Sequence, residues 1–226
     1  MGLLFAEMTE PQHGFDFPRS LTEKYLPAHV ANLVKSPRPI ALIFVGDPGR
    51  GKTAMASAFA NDLGASVRYV GAQRCTTDEL DHTWEACHYF PPKGRFWVVI
   101  VDEADQMTDR AQLQWLSKGD QAANLKPVMG GAFEPGKPLP VIWIFTCNSI
   151  ERLEKRFLTR CMTLDFSMYG GSKDIAEYLA AIWQHEAPGR PAPNFARVVK
   201  DSASNVRDCL IRLDRLLLEA ECLAAL

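Results

Sequence analysis

Gly46-Asp47-Pro48-Gly49-Arg50-Gly51-Lys52-Thr53 fits the spacing GxxxxGK[ST] of a loop built to hold phosphate. Glycines let successive backbone N–H groups curl around phosphate oxygens, and a helix starting at the end of the loop points its positive pole at the anion. In this pattern Lys52 reaches the β- and γ-phosphates. Thr53 offers its hydroxyl to Mg²⁺, and the backbone from Gly46 to Ala54 lines the anion. The expected ligand is Mg·ATP, with Thr53 on the metal.

A second group of residues completes that chemistry. Val98-Val-Ile-Val-Asp102-Glu103-Ala-Asp105 is an apolar run ending in acids. Asp102 suits the metal side, and Glu103 is placed to orient and deprotonate an attacking water. Thr146-Cys147-Asn148 closes the next apolar run. A polar side chain there can reach the γ-phosphate or the water, although Asn148 equally fits a cap on the following turn.

The elements that must carry these residues follow from hydrophobic patterning. Ile40–Val45, Phe96–Val101 and Val141–Phe145 are continuous apolar runs, the signature of strands buried on both faces, and Ser66–Val70 is a shorter strand. Between them, Lys52–Leu63 and Thr77–Tyr89 read as helices, and a turn at residues 21–27 leads into a helix over His29–Val34. Strands spaced by helices predict an α/β fold, a P-loop parallel sheet with crossover helices. After Phe166 the pattern becomes wholly helical, with segments at 174–185, 195–200 and 206–226. The expected organisation is an arm over residues 1–20, an ATP-binding α/β domain over 21–168 and a small helical lid over 169–226.

Composition narrows the alternatives. The 226 residues carry 25 basic and 27 acidic side chains, so any nucleic-acid contact has to come from a local patch. Six cysteines without a CxxC pair make neither a disulfide scaffold nor a zinc finger, even with Cys75 and Cys87-His88 close in sequence. No apolar run approaches the ~18–20 residues that span a bilayer. The N-terminus lacks a secretory pattern, and Ala6 stands where myristoylation wants Ser or Thr. The expected setting is cytoplasmic, with no membrane partner. The five tryptophans sit within apolar runs and read as core.

The order of these motifs resembles the AAA+ ATPases, and within them the small ATPase subunits of sliding-clamp loaders. Three further segments carry the closer likeness. Leu21-Thr-Glu-Lys-Tyr25-Leu-Pro27 with Ala31-Asn-Leu-Val34 resembles the segment that packs near the adenine, which implies nucleotide contacts for Tyr25 and Val34. Phe157-Leu-Thr-Arg160-Cys161 resembles a Ser-Arg-Cys motif, which implies that Arg160 reaches a neighbouring subunit's ATP. Ser204-Asn-Val-Arg207 resembles the Gly-x-x-Arg motif of the lid, which implies that Arg207 touches the γ-phosphate in cis. The resemblance further implies a ring of identical or different AAA+ subunits, hydrolysis shared between them, and DNA and a sliding clamp as partners.

The chain also departs from that pattern. Tyr-Leu-Pro replaces Tyr-Arg-Pro, Ser204 replaces glycine, and Gly71-Ala72-Gln73 replaces the usual Asn-Ala-Ser that couples DNA to the catalytic Glu. The family's C-terminal collar has no counterpart before Leu226. Residues 119–140 form a longer link than usual. Lys126, Phe133 and Lys137 could meet a polymer there, or the link is an ordinary surface loop. A second reading, an ATP-switched adaptor such as a helicase loader or a transposition or defence regulator, fits these departures. A small-molecule P-loop kinase would leave Asn148, Arg160 and the lid unexplained.

Overall fold

The computed structural model describes residues 26–71, 75–122, 141–166 and 171–224. Tyr25, the N-terminal arm, Ala72-Gln73, the 123–140 part of the long link and the 167–170 joint lie outside the described residues.

The chain runs α1 (Ala28–Lys35), β1 (Ile40–Val45), α2 (Lys52–Asp62), β2 (Ser66–Gly71), α3 (Thr77–Ala86) and β3 (Trp97–Asp102). A 3₁₀ turn at Ala104–Gln106 leads to α4 (Asp109–Ala122), β4 (Val141–Cys147), α5 (Lys155–Leu158) and β5 (Met162–Asp165). Three helices follow, α6 (Ser172–Glu186), α7 (Phe195–Asp201) and α8 (Val206–Ala224).

The strands form one parallel sheet in the order β2-β3-β4-β1-β5. Its three central strands are the three continuous apolar runs, because each has a neighbour on both sides and helices on both faces. Side chains alternate between two cores. Ala41, Val99, Trp143 and Phe145 face α3, α4 and α5. Leu42, Phe44, Ile100 and Ile144 face α1 and α2. Right-handed crossovers explain the split: β1 connects to the far edge over one face, and the chain returns strand by strand over the other. That reversal lies between β1 and β4, and the crevice at the carboxyl ends of strands at such a point is where open α/β sheets bind ligands.

The C-terminal helices have their own core of Ile175, Leu179, Ile182, Trp183, Val199, Cys209 and Leu213. All five tryptophans are buried. No helix among the described residues is long and apolar enough to cross a membrane.

Candidate nucleotide-binding site

The phosphate loop follows β1 and ends at α2, whose N-cap is Gly51 with no side-chain cap and whose first turn holds no acid. The first amides of α2 are thus left for a ligand, and an anion there meets the positive pole of the helix. Gly49 takes φ +77°, a left-handed conformation that costs L side chains energy. Lys52 leads α2 and is buried. Its Nζ donates to Gly46 O at 2.6 Å, Asp47 O at 2.9 Å and Asn148 Oδ1 at 3.0 Å. Burial holds this ammonium below lysine's ordinary pKa, against the pull of Cys147, Asp102, Asp105 and Asp47.

The register brings the acids to the same place. β3 and β4 pair through Val101 and Phe145, and β4 pairs with β1 as far as Val45 and Cys147. Asp102, Asn148 and the phosphate loop therefore leave the sheet side by side. Asp102 Oδ1 accepts a hydrogen bond from Thr53 Oγ1 at 2.8 Å and another from Thr146 Oγ1. Glu103 takes φ 58°, ψ 45°, which turns the chain off the strand and into the cleft wall. Left-handed backbone at a residue other than glycine costs about 1–2 kcal/mol, the kind of local strain found at functional sites. The Cys147 thiol is pushed up to about 12 by burial, reinforced by Asp105, and stays neutral at ordinary pH.

α8 forms the opposite wall. Val206, Arg207, Leu210, Ile211 and Asp214 face the loop, Lys52, Thr53 and Ala54 across a cleft of about 740 Å³. Ser57, Asn61 and Tyr69 extend it along α2 and β2, and Ser57 Oγ lies 2.6 Å from Tyr69 Oη. At this same N-terminal end α8 is tied to the phosphate loop. Asn205 Nδ2 donates to Pro48 O at 3.1 Å, Val206 N to Gly49 O at 3.1 Å, and an Arg50 guanidinium N–H to Ser204 O at 3.3 Å.

The structure thus gathers Lys52, Thr53, Asp102, Glu103, Asn148 and Arg207 around one cleft, with Gly46, Asp47 and Arg50 contributing to the loop behind it. Arg160 is exposed, on the turn after α5, and is not part of this cleft wall. Val34 is not brought to the cleft either. It packs against the core that α1 builds with Leu42, Phe44 and Phe59, because α1 turns its apolar stripe onto the sheet. The oxygen set of Thr53 and Asp102 suits a hard cation such as Mg²⁺, and the uncapped helix start suits a polyphosphate.

Two residues had no role assigned from sequence. Thr146 is 1% exposed, and a hydroxyl inside a fully buried strand has to find a partner, which was its signal. Asn205 accepts from Asp208 N at 3.2 Å, an N-cap arrangement visible in the spacing Asn205-x-x-Asp208.

The fold is shared with RuvB from Thermotoga maritima, described as a Holliday junction branch migration motor. That match has a TM-score of 0.66 and 14% identity, covering 88% of this chain and 64% of that one. A point-mutant RuvB from the same organism aligns with a TM-score of 0.67 at 13% identity, covering 86% and 60%. At such identities the likeness concerns the fold alone. In sequence, the chain is 36% identical over 107 residues to the replication factor C small subunit of Aeropyrum pernix, 42% of this chain and 33% of that protein. The aligned region thus spans a third of that relative's length. Residues 42–168 match the ATPase family associated with various cellular activities (AAA), and with more than half its length inside that match the chain belongs to this family.

Proposed function

We propose that the chain binds and hydrolyses ATP at subunit interfaces to drive assembly or remodelling on DNA, as a clamp-loader ATPase subunit in a cytoplasmic replication complex. The observation that carries the reading is the meeting of Lys52, Thr53, Asp102, Glu103 and Asn148 at the carboxyl ends of β1, β3 and β4, facing Arg207. Lys52 and the loop amides hold the phosphates, and Thr53 and Asp102 hold the metal. Mg²⁺, when bound, neutralises charge on the phosphate oxygens. Glu103 takes the proton of the attacking water, Asn148 positions that water, and Arg207 links the γ-phosphate to the lid over residues 169–226. Tyr25 is the proposed contact on the adenine side.

Arg160 supports the shared-site part of the reading, since it is exposed and lies outside its own cleft, the placement that acting on a neighbour's site requires. Arginine fingers contribute about 10³–10⁵ in rate in related phosphoryl transfer. The clamp-loader assignment, with DNA and a sliding clamp as partners, rests on the partial relative.

One observation favours the adaptor reading, in which turnover is slow and depends on a partner. Gly71 pairs with Asp102 across β2 and β3, and it brings no side chain to couple bound DNA to Glu103.

The test is ATP turnover per chain across protein concentrations, with and without primed-template DNA, beside Arg160→Ala. A rate that climbs with concentration, rises on primed DNA and collapses in the variant is the expected outcome. Mixing Arg160→Ala with Glu103→Gln should restore part of the activity, because each supplies what the other lacks. A flat rate indifferent to DNA and to Arg160 would overturn the shared site, and filaments on any duplex would favour the adaptor.

A further inference from the structure

We propose that Thr146 is a positioning residue that sets both acids of the cleft, Asp102 and Glu103; the inference rests on the ATPase reading above. Thr146 is the only hydroxyl in β4, whose sequence is otherwise Val-Ile-Trp-Ile-Phe and Cys. Its Oγ1 donates to Asp102 Oδ1 and accepts the Glu103 N–H at 3.3 Å. A hydroxyl carries one hydrogen and two lone pairs, so both bonds form together.

Each bond fixes something different. Asp102 Oδ1 also accepts from Thr53 Oγ1 at 2.8 Å, so two hydroxyls from two elements, α2 and β4, converge on one carboxylate oxygen. That double hold fixes the rotation of the carboxylate. The Glu103 N–H lies one residue past the end of β3, at the point from which φ 58° turns the backbone off the sheet, and Thr146 gives it an acceptor there. Because Thr146 is β-branched, its χ1 is stiff, and the direction of the hydroxyl is inherited from the strand. The residue therefore transmits the position of β4, which also carries Asn148, to both acids. Lys52 does not touch it, so phosphate binding without metal is independent of Thr146.

The experiment compares Thr146→Val, Thr146→Ala and Thr146→Ser in the full chain. It reads affinity for a fluorescent non-hydrolysable ATP analogue with Mg²⁺ and with chelator, and kcat and KM for ATP, with circular dichroism to verify folding. With chelator, all three variants should bind like the parent. With Mg²⁺, Val and Ala should lose most of the affinity that the metal adds, and kcat should fall about 10–100-fold, the range for removing a group that orients a metal ligand. KM should move far less than kcat, and Ser should restore both readouts to near the parent's. Should Val fail to fold, Ala carries the comparison. Val and Ala variants that keep the parent's Mg²⁺ gain and kcat would overturn the proposal, as would a Ser variant as impaired as Val. A parent that binds Mg²⁺ and nucleotide without turnover would fail the hydrolysis reading, while the Mg²⁺ gain would still decide the role of Thr146.

Discussion

The carboxamide of Asn205 sits directly on Gly49: a Cβ built at Gly49 would lie 2.2 Å from Asn205 Oδ1. The same side chain donates to Pro48 O at 3.1 Å, and the next amide, of Val206, donates to Gly49 O at 3.1 Å. The start of α8 thus reads the shape of the phosphate loop through contacts that involve neither Arg207 nor a ligand. A loop that reshapes around phosphate has to move α8 with it, which links nucleotide binding to the angle of the proposed lid.

Gly49→Ala should therefore be costly twice, once through φ +77° and once through the collision with Asn205. We expect nucleotide affinity to fall about tenfold or more, given ~1–2 kcal/mol for the backbone alone. Adding Asn205→Ala should recover only the part due to collision. A double-mutant cycle by titration calorimetry measures that coupling, and strict additivity of the two changes would remove the proposed link.

Ser204 makes a converse prediction. It holds φ 59° immediately before Asn205, the conformation that the glycine expected at this place would adopt freely. Ser204→Gly relieves that strain but gives up the exposed hydroxyl contact with Ser172 Oγ at 3.1 Å and gains chain entropy when unfolded. The balance should be a stabilisation of about 0.5 kcal/mol, or ~1–2 °C in Tm for a chain of this size. Calorimetric melting decides it, and a lower Tm would show that Ser204 is not under strain.

The Lys52 ammonium gives nucleotide binding a pH dependence of definite sign. Its pKa lies below 10.5 in the free protein, and bound phosphate raises it again by restoring an anionic partner. Binding thus takes up a proton at alkaline pH, and affinity should fall as pH rises through the lowered pKa, by at most about tenfold per pH unit. The unfolded chain holds this proton more tightly, so the same shift makes the free protein gain stability as pH rises in that range. Lys52→Arg should bind more weakly but lose the dependence, since arginine stays charged. An identical alkaline slope in both proteins would assign the effect elsewhere.

Much of this was legible because burial on two faces writes itself into sequence. β1 begins and ends at the residues its apolar run predicts, and α2 begins at Lys52 as the loop spacing requires. β5 escaped notice because it is a short edge strand, Met162-Thr-Leu-Asp, with only Leu164 buried, so it carries no apolar run. α5 spans only Lys155–Leu158, too short for helical periodicity. Within the cleft, residues defined by a spacing were readable. Thr146 and Asn205 act through neighbours that only the register of β3 on β4 and the packing of α8 on the loop bring near. Val34, for which the motif match implies a nucleotide contact, packs partly buried against the core under α1.

The four residues of α5 set the last prediction, because they determine where Arg160 stands. Phe157 is fully buried, its ring 4.8 Å from Phe145 and 5.0 Å from Trp115, and Leu158 and Cys161 pack on the same core. Arg160 N donates to Phe157 O at 3.1 Å, so Phe157 is the aromatic anchor of the turn that carries the arginine. Phe157→Ala should cost about 3–5 kcal/mol, a large share of a typical domain's stability. Phe157→Leu keeps much of the volume and should leave a folded protein whose nucleotide affinity matches the parent's, since neither Phe157 nor residues 158–161 line the cleft. Its concentration-dependent turnover should nevertheless drop several-fold, in the direction of Arg160→Ala, because a loosened anchor would misplace the arginine for the proposed neighbouring site. Equal loss of nucleotide affinity and turnover in Phe157→Leu would mean that the aromatic core serves the cleft directly, and that the turn's position is not what limits the shared site.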